Sequence, residues 1–377
     1  MLYKKNTHIM YCSNIFKKDS WKELIKNINK YSKIIKKKYP YKRKIAIGLC
    51  LSNKMANLLI NKKKLKKFKN LINKKNIYVP SINGFVYKKF HQKMIKDKIY
   101  IPDWSSKKRI KYTNKLIKII NELNKTGSIS TLPISYKKWI KKGKESYILY
   151  QSSINILKSI KNIIKTKNNI HIDIETEPGC LIENSKECIN LFKYWIKPIS
   201  KTLIPKNINI KNKLGICYDI CHLSVNFEKH NKVIENFKKN NIKIGKIQIS
   251  SSIKIKFNNK NKIKNINKLK LIKESPFLHQ TIIKNNKKLI YKSDIKEAIK
   301  SNIRKKQEWR IHYHIPIYKK KAMKFKTTQK ETIKLIEYIK NNKITKYLEI
   351  ETYTYNKKNI FKCIIKELEL LNRVLKK

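Results

Sequence analysis

Three segments of the chain collect carboxylates and imidazoles at spacings suited to proton transfer or metal binding. Residues 171–177 read His-Ile-Asp-Ile-Glu-Thr-Glu, and the two-residue period of an extended strand turns Asp173, Glu175 and Glu177 to one face. Residues 349–351 repeat the pattern with Glu349 and Glu351, and residues 218–222 set Asp219 at a strand end with His222 three residues on. Acids turned to a common interior repel one another and lose hydration, at a cost of several kcal/mol each unless a cation joins them. A metal ion or a cationic substrate is therefore expected. Asp, Glu and neutral His are ordinary ligands for Mn²⁺, Mg²⁺ or Zn²⁺, and a His beside an ion can also move protons. His312 and His314 share one face of a further extended stretch, Trp309 to Pro316. The plain alternatives are that Asp173 or Glu177 faces solvent at a strand end, and that each His is a satisfied structural residue. Glu175 is the preferred acid of its strand.

These groups need elements to hold them. Short β-rich runs recur along the chain, each followed by a helical pattern, which is the rhythm of a parallel sheet wrapped by helices. Strands are expected at 8–15, 45–52, 77–86, 127–134, 171–177, 214–221, 244–251 and 347–353. Ser20 with Glu23 forms a capping box for the first helix. Eight units make a (β/α)8 barrel in one domain spanning 1–377, provided that 252–308 is an insertion between strands seven and eight. Residues 253–273 read as a solvated loop of biased composition, and 310–317 as an additional strand outside the scheme. In such a barrel the chemistry gathers at the C-terminal ends of the strands, where the acids above fall.

The 92 Lys and Arg against 24 Asp and Glu give a formal charge of +68, which invites a nucleic-acid reading. Only five of the basic residues are Arg (43, 109, 304, 310 and 373), whereas bidentate reading of phosphates and bases favours the guanidinium fork. The lysines are spread evenly, and Ile, Asn and Tyr are inflated with them. An A+T-rich coding sequence explains this, so no specific nucleic-acid partner is expected. In that background each surviving Gly or Pro is more apt to be required by the backbone. Seven scattered cysteines indicate a reducing interior rather than a disulfide scaffold. No apolar run reaches the length of a membrane span and no signal-peptide core is visible. The expected setting is a plastid stroma or the cytoplasm of an intracellular bacterium, and the expected protein is not an integral membrane protein.

Short blocks collinear along the chain resemble the EboE family of metabolite traffic proteins. They are Y-C-S-N-I at 11–15, N-G-F-V-Y-K-K-F-H at 83–91, Y-I-P-D-W at 100–104, G-S-I-S-T-L-P at 127–133 and E-T-E-P-G-C at 175–180. They continue with G-I-C-Y-D-I-C-H-L at 215–223, G-K-I-Q-I-S-S at 245–251, W-R-I-H-Y-H-I-P at 309–316 and L-E-I-E-T-Y-T-Y at 348–355. The resemblance implies a xylose-isomerase-like barrel that handles a small sugar, polyol or isoprenoid-linked precursor destined for export, alongside the other ebo-operon proteins.

In the isomerase and epimerase relatives of such barrels, one divalent ion is held by acids ending strands five, six and eight and a His ending strand seven. Carried over by position, the ligands are Glu175, Asp219, Gln248 and Glu351. Glu175 and Glu351 would then serve as alternating base and acid, with Glu177 and Glu349 as alternative acids. His222 resembles a substrate-binding His, and His91, His312 and His314 join it as candidates. Gln248 departs from the pattern, since an amide oxygen binds a transition metal more weakly than imidazole does. Three outcomes are open: a loosely held Mg²⁺ or Mn²⁺, replacement of the missing ligand by His312 or His314, or loss of the metal. The alternative to an enzyme is a non-catalytic carrier or scaffold.

Overall fold

The computed structural model describes residues 2–3, 7–16, 20–38, 44–88, 96–258, 260–272, 276–301, 306–354 and 359–376. Eight strands, Thr7–Cys12, Ile45–Cys50, Ile77–Asn83, Thr126–Thr131, Asn169–Glu175, Leu214–Asp219, Ile244–Ile249 and Tyr347–Ile350, lie side by side in that order. Each pairs in parallel with the next, and strand eight pairs with strand one, which closes the barrel. The expected (β/α)8 architecture is thus the observed one.

Local sequence accounts for the rhythm. The strands are rich in Ile, whose branched side chains suit a pleated surface. Polar caps start the helices: Ser20 accepts from the Glu23 N–H, Asn61 from Lys64 and Ser106 from Lys108. The helices Trp21–Lys38, Lys107–Asn124, Glu145–Lys165, Gln329–Asn341 and Ile360–Lys376 turn apolar stripes onto the outer face of the barrel, forming one large core with the outward Ile and Leu of the strands. Two of the five arginines are consumed by this framework. Buried Arg109 donates to the carbonyls of Pro102, Gly84 and Phe85, and Arg310 pairs with Glu308 and Glu331.

The barrel interior is unusually polar for a fold whose centre is normally filled by branched aliphatics. Near its N-terminal end, Asp173 accepts from Ser128 and pairs with His171. One layer higher, buried Lys246 donates to Glu349 at 3.0 Å and to Ser130 at 2.8 Å. Glycine makes room for these carboxylates: a Cβ at Gly245 would overlap Asp173, and one at Gly48 would overlap Glu349. Here the scarce glycines do serve close approach.

Between strands seven and eight the chain builds a second, antiparallel sheet. Its six strands run in the order Lys288–Lys292, Thr281–Asn285, Glu308–Ile315, Ser251–Lys256, Phe325–Thr327, Lys321–Ala322. The segment 253–273 is therefore not a solvated loop. Ile253 and Ile255 alternate inward, and the helix Lys262–Ile272 buries Leu269 against Trp309, Ile283 and Phe257 in a core of its own. The lysines hide this alternation by occupying only the outward positions. The additional strand at 310–317 is the Glu308–Ile315 strand at the heart of this sheet. No helix among the described residues is long and apolar enough to cross a membrane.

Candidate active site

Strands five, six and eight deliver Glu175, Asp219 and Glu351 to the C-terminal mouth of the barrel. Their carboxylate oxygens lie within 4.8 Å of one another, and all three side chains are buried. One oxygen of each is fixed by the chain or lies beside it. Glu351 Oε1 accepts from Asn14 Nδ2 at 2.8 Å and from Asn83 Nδ2 at 3.3 Å, Asp219 Oδ1 from the His222 N–H at 2.9 Å, and Glu175 Oε1 lies 3.7 Å from His222 Nδ1. The second oxygens, Glu175 Oε2, Asp219 Oδ2 and Glu351 Oε2, are buried without a hydrogen-bond partner among the described residues. Buried oxygens of this kind are costly unless something else satisfies them.

Electrostatics follow from that crowding. Burial, then the facing Glu351 and Asp219, raise the pKa of Glu175; burial, then Glu349 and Asp219, raise that of Glu351. Asp219 is raised by burial too, but His314 and the N–H groups of His222 and Cys221 work the other way. The Asp-x-x-His spacing has a local cause. Asp219 is the N-cap of the short helix Ile220–Val225, so capping fixes both the acid and the turn that carries His222.

Glu177 sits on the rim beside this trio, accepting from Tyr100 Oη at 2.6 Å and Gln280 Nε2 at 3.1 Å, and burial pushes it up to about 7. Neither it nor Asp173 faces solvent. Glu349 lies a layer below, against Lys246. Gln248 points inward from strand seven, with its Oε1 accepting from Cys217 Sγ at 3.1 Å. His312 and His314 come from the inserted sheet and meet His222 over the mouth, with ring nitrogens 2.9 and 3.2 Å from it. Among the residues expected here, His91 lies outside those the structure describes.

The cleft above the acids is narrow, about 50 Å³, and is walled by Phe85, Tyr100, Phe277, Leu278 and Tyr353 together with the acids and imidazoles. A larger hollow of about 1360 Å³ opens at the other end of the barrel, but the carboxylate trio takes no part in it, and (β/α)8 chemistry belongs at the C-terminal end. Sequence reasoning missed several residues that hold the acids: Asn14, Asn83, Tyr100, Gln280 and Lys246. The first three fall inside the blocks Y-C-S-N-I, N-G-F and Y-I-P-D-W, which was a usable signal. Lys246 alternates with Gln248 along strand seven, but in so lysine-rich a chain nothing marks it.

No known family profile matches the chain, and no curated protein matches it. Solved structures do. A D-tagatose 3-epimerase-like protein superposes with a TM-score of 0.50 and 14% identity, over 97% of this chain and 98% of that one. A D-allulose 3-epimerase from Methylomonas sp. gives a TM-score of 0.43 and 12% identity over 66% and 74% of the two chains. An IOLI protein with a bound zinc atom gives 0.41 and 12% over 65% and 73%. At these identities the likeness is one of fold: the chain is a (β/α)8 barrel.

Proposed function

We propose that this barrel is a divalent-metal-dependent isomerase or epimerase of a small sugar or polyol, and that Glu175, Asp219 and Glu351 hold the ion. The observation that carries the reading is the trio of buried carboxylates, close enough to share one ion, each keeping one oxygen without a hydrogen-bond partner among the described residues. Oxygen donors of this kind suit Mn²⁺ or Mg²⁺, and Zn²⁺ accepts them as well. The bound ion supplies polarisation of a substrate carbonyl or hydroxyl. Gln248, whose amide oxygen is taken by Cys217, adds little to the set.

The chain's own groups do the rest. Glu175 and Glu351 end strands on opposite sides of the mouth, separated around the barrel by strands six and seven. With pKa values raised by burial and by neighbouring carboxylates, one can take a proton from the substrate carbon while the other returns one to it. Asn14 and Asn83 keep the Glu351 carboxylate turned toward the cleft. Tyr100 and Gln280 hold Glu177 where it can accept from a substrate hydroxyl. The aromatic wall of Phe85, Tyr100, Phe277 and Tyr353 excludes water from the exchanging proton.

The likeness in fold to a D-tagatose 3-epimerase-like protein makes proton exchange next to a ketose carbonyl the first reaction to test. Metal-loaded protein incubated with ketoses in D₂O is expected to place deuterium at the carbon beside the carbonyl, read by ¹H NMR. Glu351→Gln is expected to slow this by about 10²–10⁴-fold. A finer reading places the chain in the EboE family, handling a precursor for export with its operon partners, and rests on the sequence blocks. A carrier is favoured by one observation, the loss of a strand-seven imidazole to Gln248. Ligand binding with no deuterium incorporation would decide for it.

A further inference from the structure

Three imidazoles meet at the joint between the barrel and the inserted sheet in an arrangement that their own protons cannot satisfy. His222 Nε2 lies 2.9 Å from His312 Nε2 and 3.2 Å from His314 Nε2, and the last two are 2.8 Å apart. The other nitrogen of each ring is already committed. His222 Nδ1 faces the Thr176 carbonyl, and His314 Nδ1 faces the Glu351 carbonyl at 3.1 Å, with Ser250 Oγ at 3.0 Å. His312 Nδ1 faces Gln280 Oε1 at 2.7 Å. The orientation of that amide is set by its Nε2, which donates to Tyr100, Glu177 and the Pro178 carbonyl. Carbonyl and amide oxygens only accept, so Nδ1 of His222 and of His312 carries the hydrogen and both rings turn a bare Nε2 lone pair inward; His314 does the same when its Nδ1 donates to the Glu351 carbonyl, with Ser250 Oγ the second neighbour of that nitrogen.

Three lone pairs within hydrogen-bond distance, with no hydrogen between them, repel. A proton can bridge one pair of rings and leaves the third lone pair opposed. A cation at the centre satisfies all three at once. We propose that His222, His312 and His314 form a transition-metal site that binds one ion of the Zn²⁺ class through their Nε2 atoms.

Several features support this assignment. All-imidazole donors select zinc, cobalt, nickel or copper over Mg²⁺ and Ca²⁺. Each ligand has the Nδ1–H partner that orients metal-bound histidines. All three rings line the cleft, so a fourth position is open to water or to a substrate oxygen, as in three-His sites that do chemistry. The site joins His222, on the helix after barrel strand six, to the Glu308–Ile315 strand of the inserted sheet. It shares no side chain with the carboxylate trio, so it stands whether or not that trio binds an ion.

The test is titration of the metal-stripped full chain with Zn²⁺ and with Co²⁺. Parent protein and Glu351→Gln are both expected to take up Zn²⁺ at this site, and the Co²⁺ forms to show the intense visible absorption of a low-coordinate nitrogen-rich centre. His312→Ala is expected to lose that equivalent and that absorption. Gln280→Leu leaves all three ligands in place but removes the oxygen that orients His312, and is expected to bind about 10–100-fold more weakly. It also keeps the test alive if His312→Ala fails to fold. Zinc uptake and Co²⁺ absorption that are lost in Glu351→Gln but unchanged in Gln280→Leu would assign the ion to the carboxylates and overturn the three-His site. Loss of deuterium exchange in Glu351→Gln reports on the carboxylate centre alone, so the two readings fail separately.

Discussion

Glu349 and Glu351 leave the same strand on the same face, two residues apart, and meet opposite circumstances. Glu349 has a cation supplied by the fold: Lys246 on the neighbouring strand seven lies 3.0 Å from it, with both side chains fully buried. Burial works against the charge on Lys246, but Glu349, then Cys217 and Glu351, more than offset it and raise the lysine pKa. At Glu351 three acids converge with no Lys or Arg in hydrogen-bond contact among the described residues. In the lower layer the charge of Glu349 is met by Lys246 through Oε1, although Oε2 has no hydrogen-bond partner among the described residues, and that ion pair belongs to stability. The upper one has no such cationic partner among the described residues, which makes it the candidate site. The imidazoles repeat the lesson. His230 has a hydroxyl on each nitrogen, Tyr218 Oη at 2.8 Å and Ser224 Oγ at 3.0 Å, whereas His222, His312 and His314 face one another.

The comparison breaks most visibly at Lys246. Lys246→Met leaves Glu349 buried beside the upper acids without its partner and is expected to cost about 3–5 kcal/mol in urea denaturation. Adding Glu349→Leu should recover most of that loss, because an apolar pair removes both charges. A single-variant cost under about 1 kcal/mol would mean that Glu349 is already neutral and that the two layers do not differ.

His230 sharpens the contrast through pH. Burial holds its pKa down to about 4 in the folded chain, with Glu331 acting to raise it and Arg310 to lower it, against 6.5 for the free imidazole. Between those values the unfolded chain binds more protons than the folded one. Stability is therefore complete above about pH 6.5 and falls as pH drops toward 4, by about 3 kcal/mol from this group. His230→Gln should flatten the urea midpoint between pH 7 and 4.5 relative to the parent. An unchanged slope would show that His230 is charged in place and not a satisfied neutral residue.

Much of this was legible in the sequence, and the failures have physical causes. The eight strands and the strand-end acids were readable because parallel strands buried on both faces give continuous Ile-rich runs, and because acids in such runs stand out. The inserted sheet was misread at 253–273, since its apolar residues occupy every second position between lysines and the same letters describe a solvated loop. His312 and His314 were recognisable as a pair, but their meeting with His222 depends on a chain excursion from strand seven across the barrel mouth, which no local pattern encodes. Lys246 and Gln280 were invisible for a similar reason: each acts on a group about a hundred residues away in sequence.

Adding the ion tests the upper layer directly. Mn²⁺ or Mg²⁺ at about 100 times its dissociation constant should stabilise the parent by about 2.7 kcal/mol, with the increment kept in Lys246→Met and absent in Glu175→Gln. Loss of the increment in Lys246→Met as well would join the two layers into one unit.

The smallest effect is the most pointed, because its sign is unusual for a buried polar substitution. Glu351→Gln keeps the oxygen that accepts from Asn14 and Asn83 and removes a charge crowded by Glu349, Asp219 and Glu175. In the metal-free protein it should therefore stabilise, by roughly 1–2 kcal/mol if relief of repulsion is worth about one unit of pKa on its neighbours. With metal present the order should invert, since the parent gains the binding increment and the variant loses a ligand. A variant less stable than the parent without metal would show that Glu351 is held by the chain as firmly as Glu349, and would remove the electrostatic reason for placing an ion among these acids.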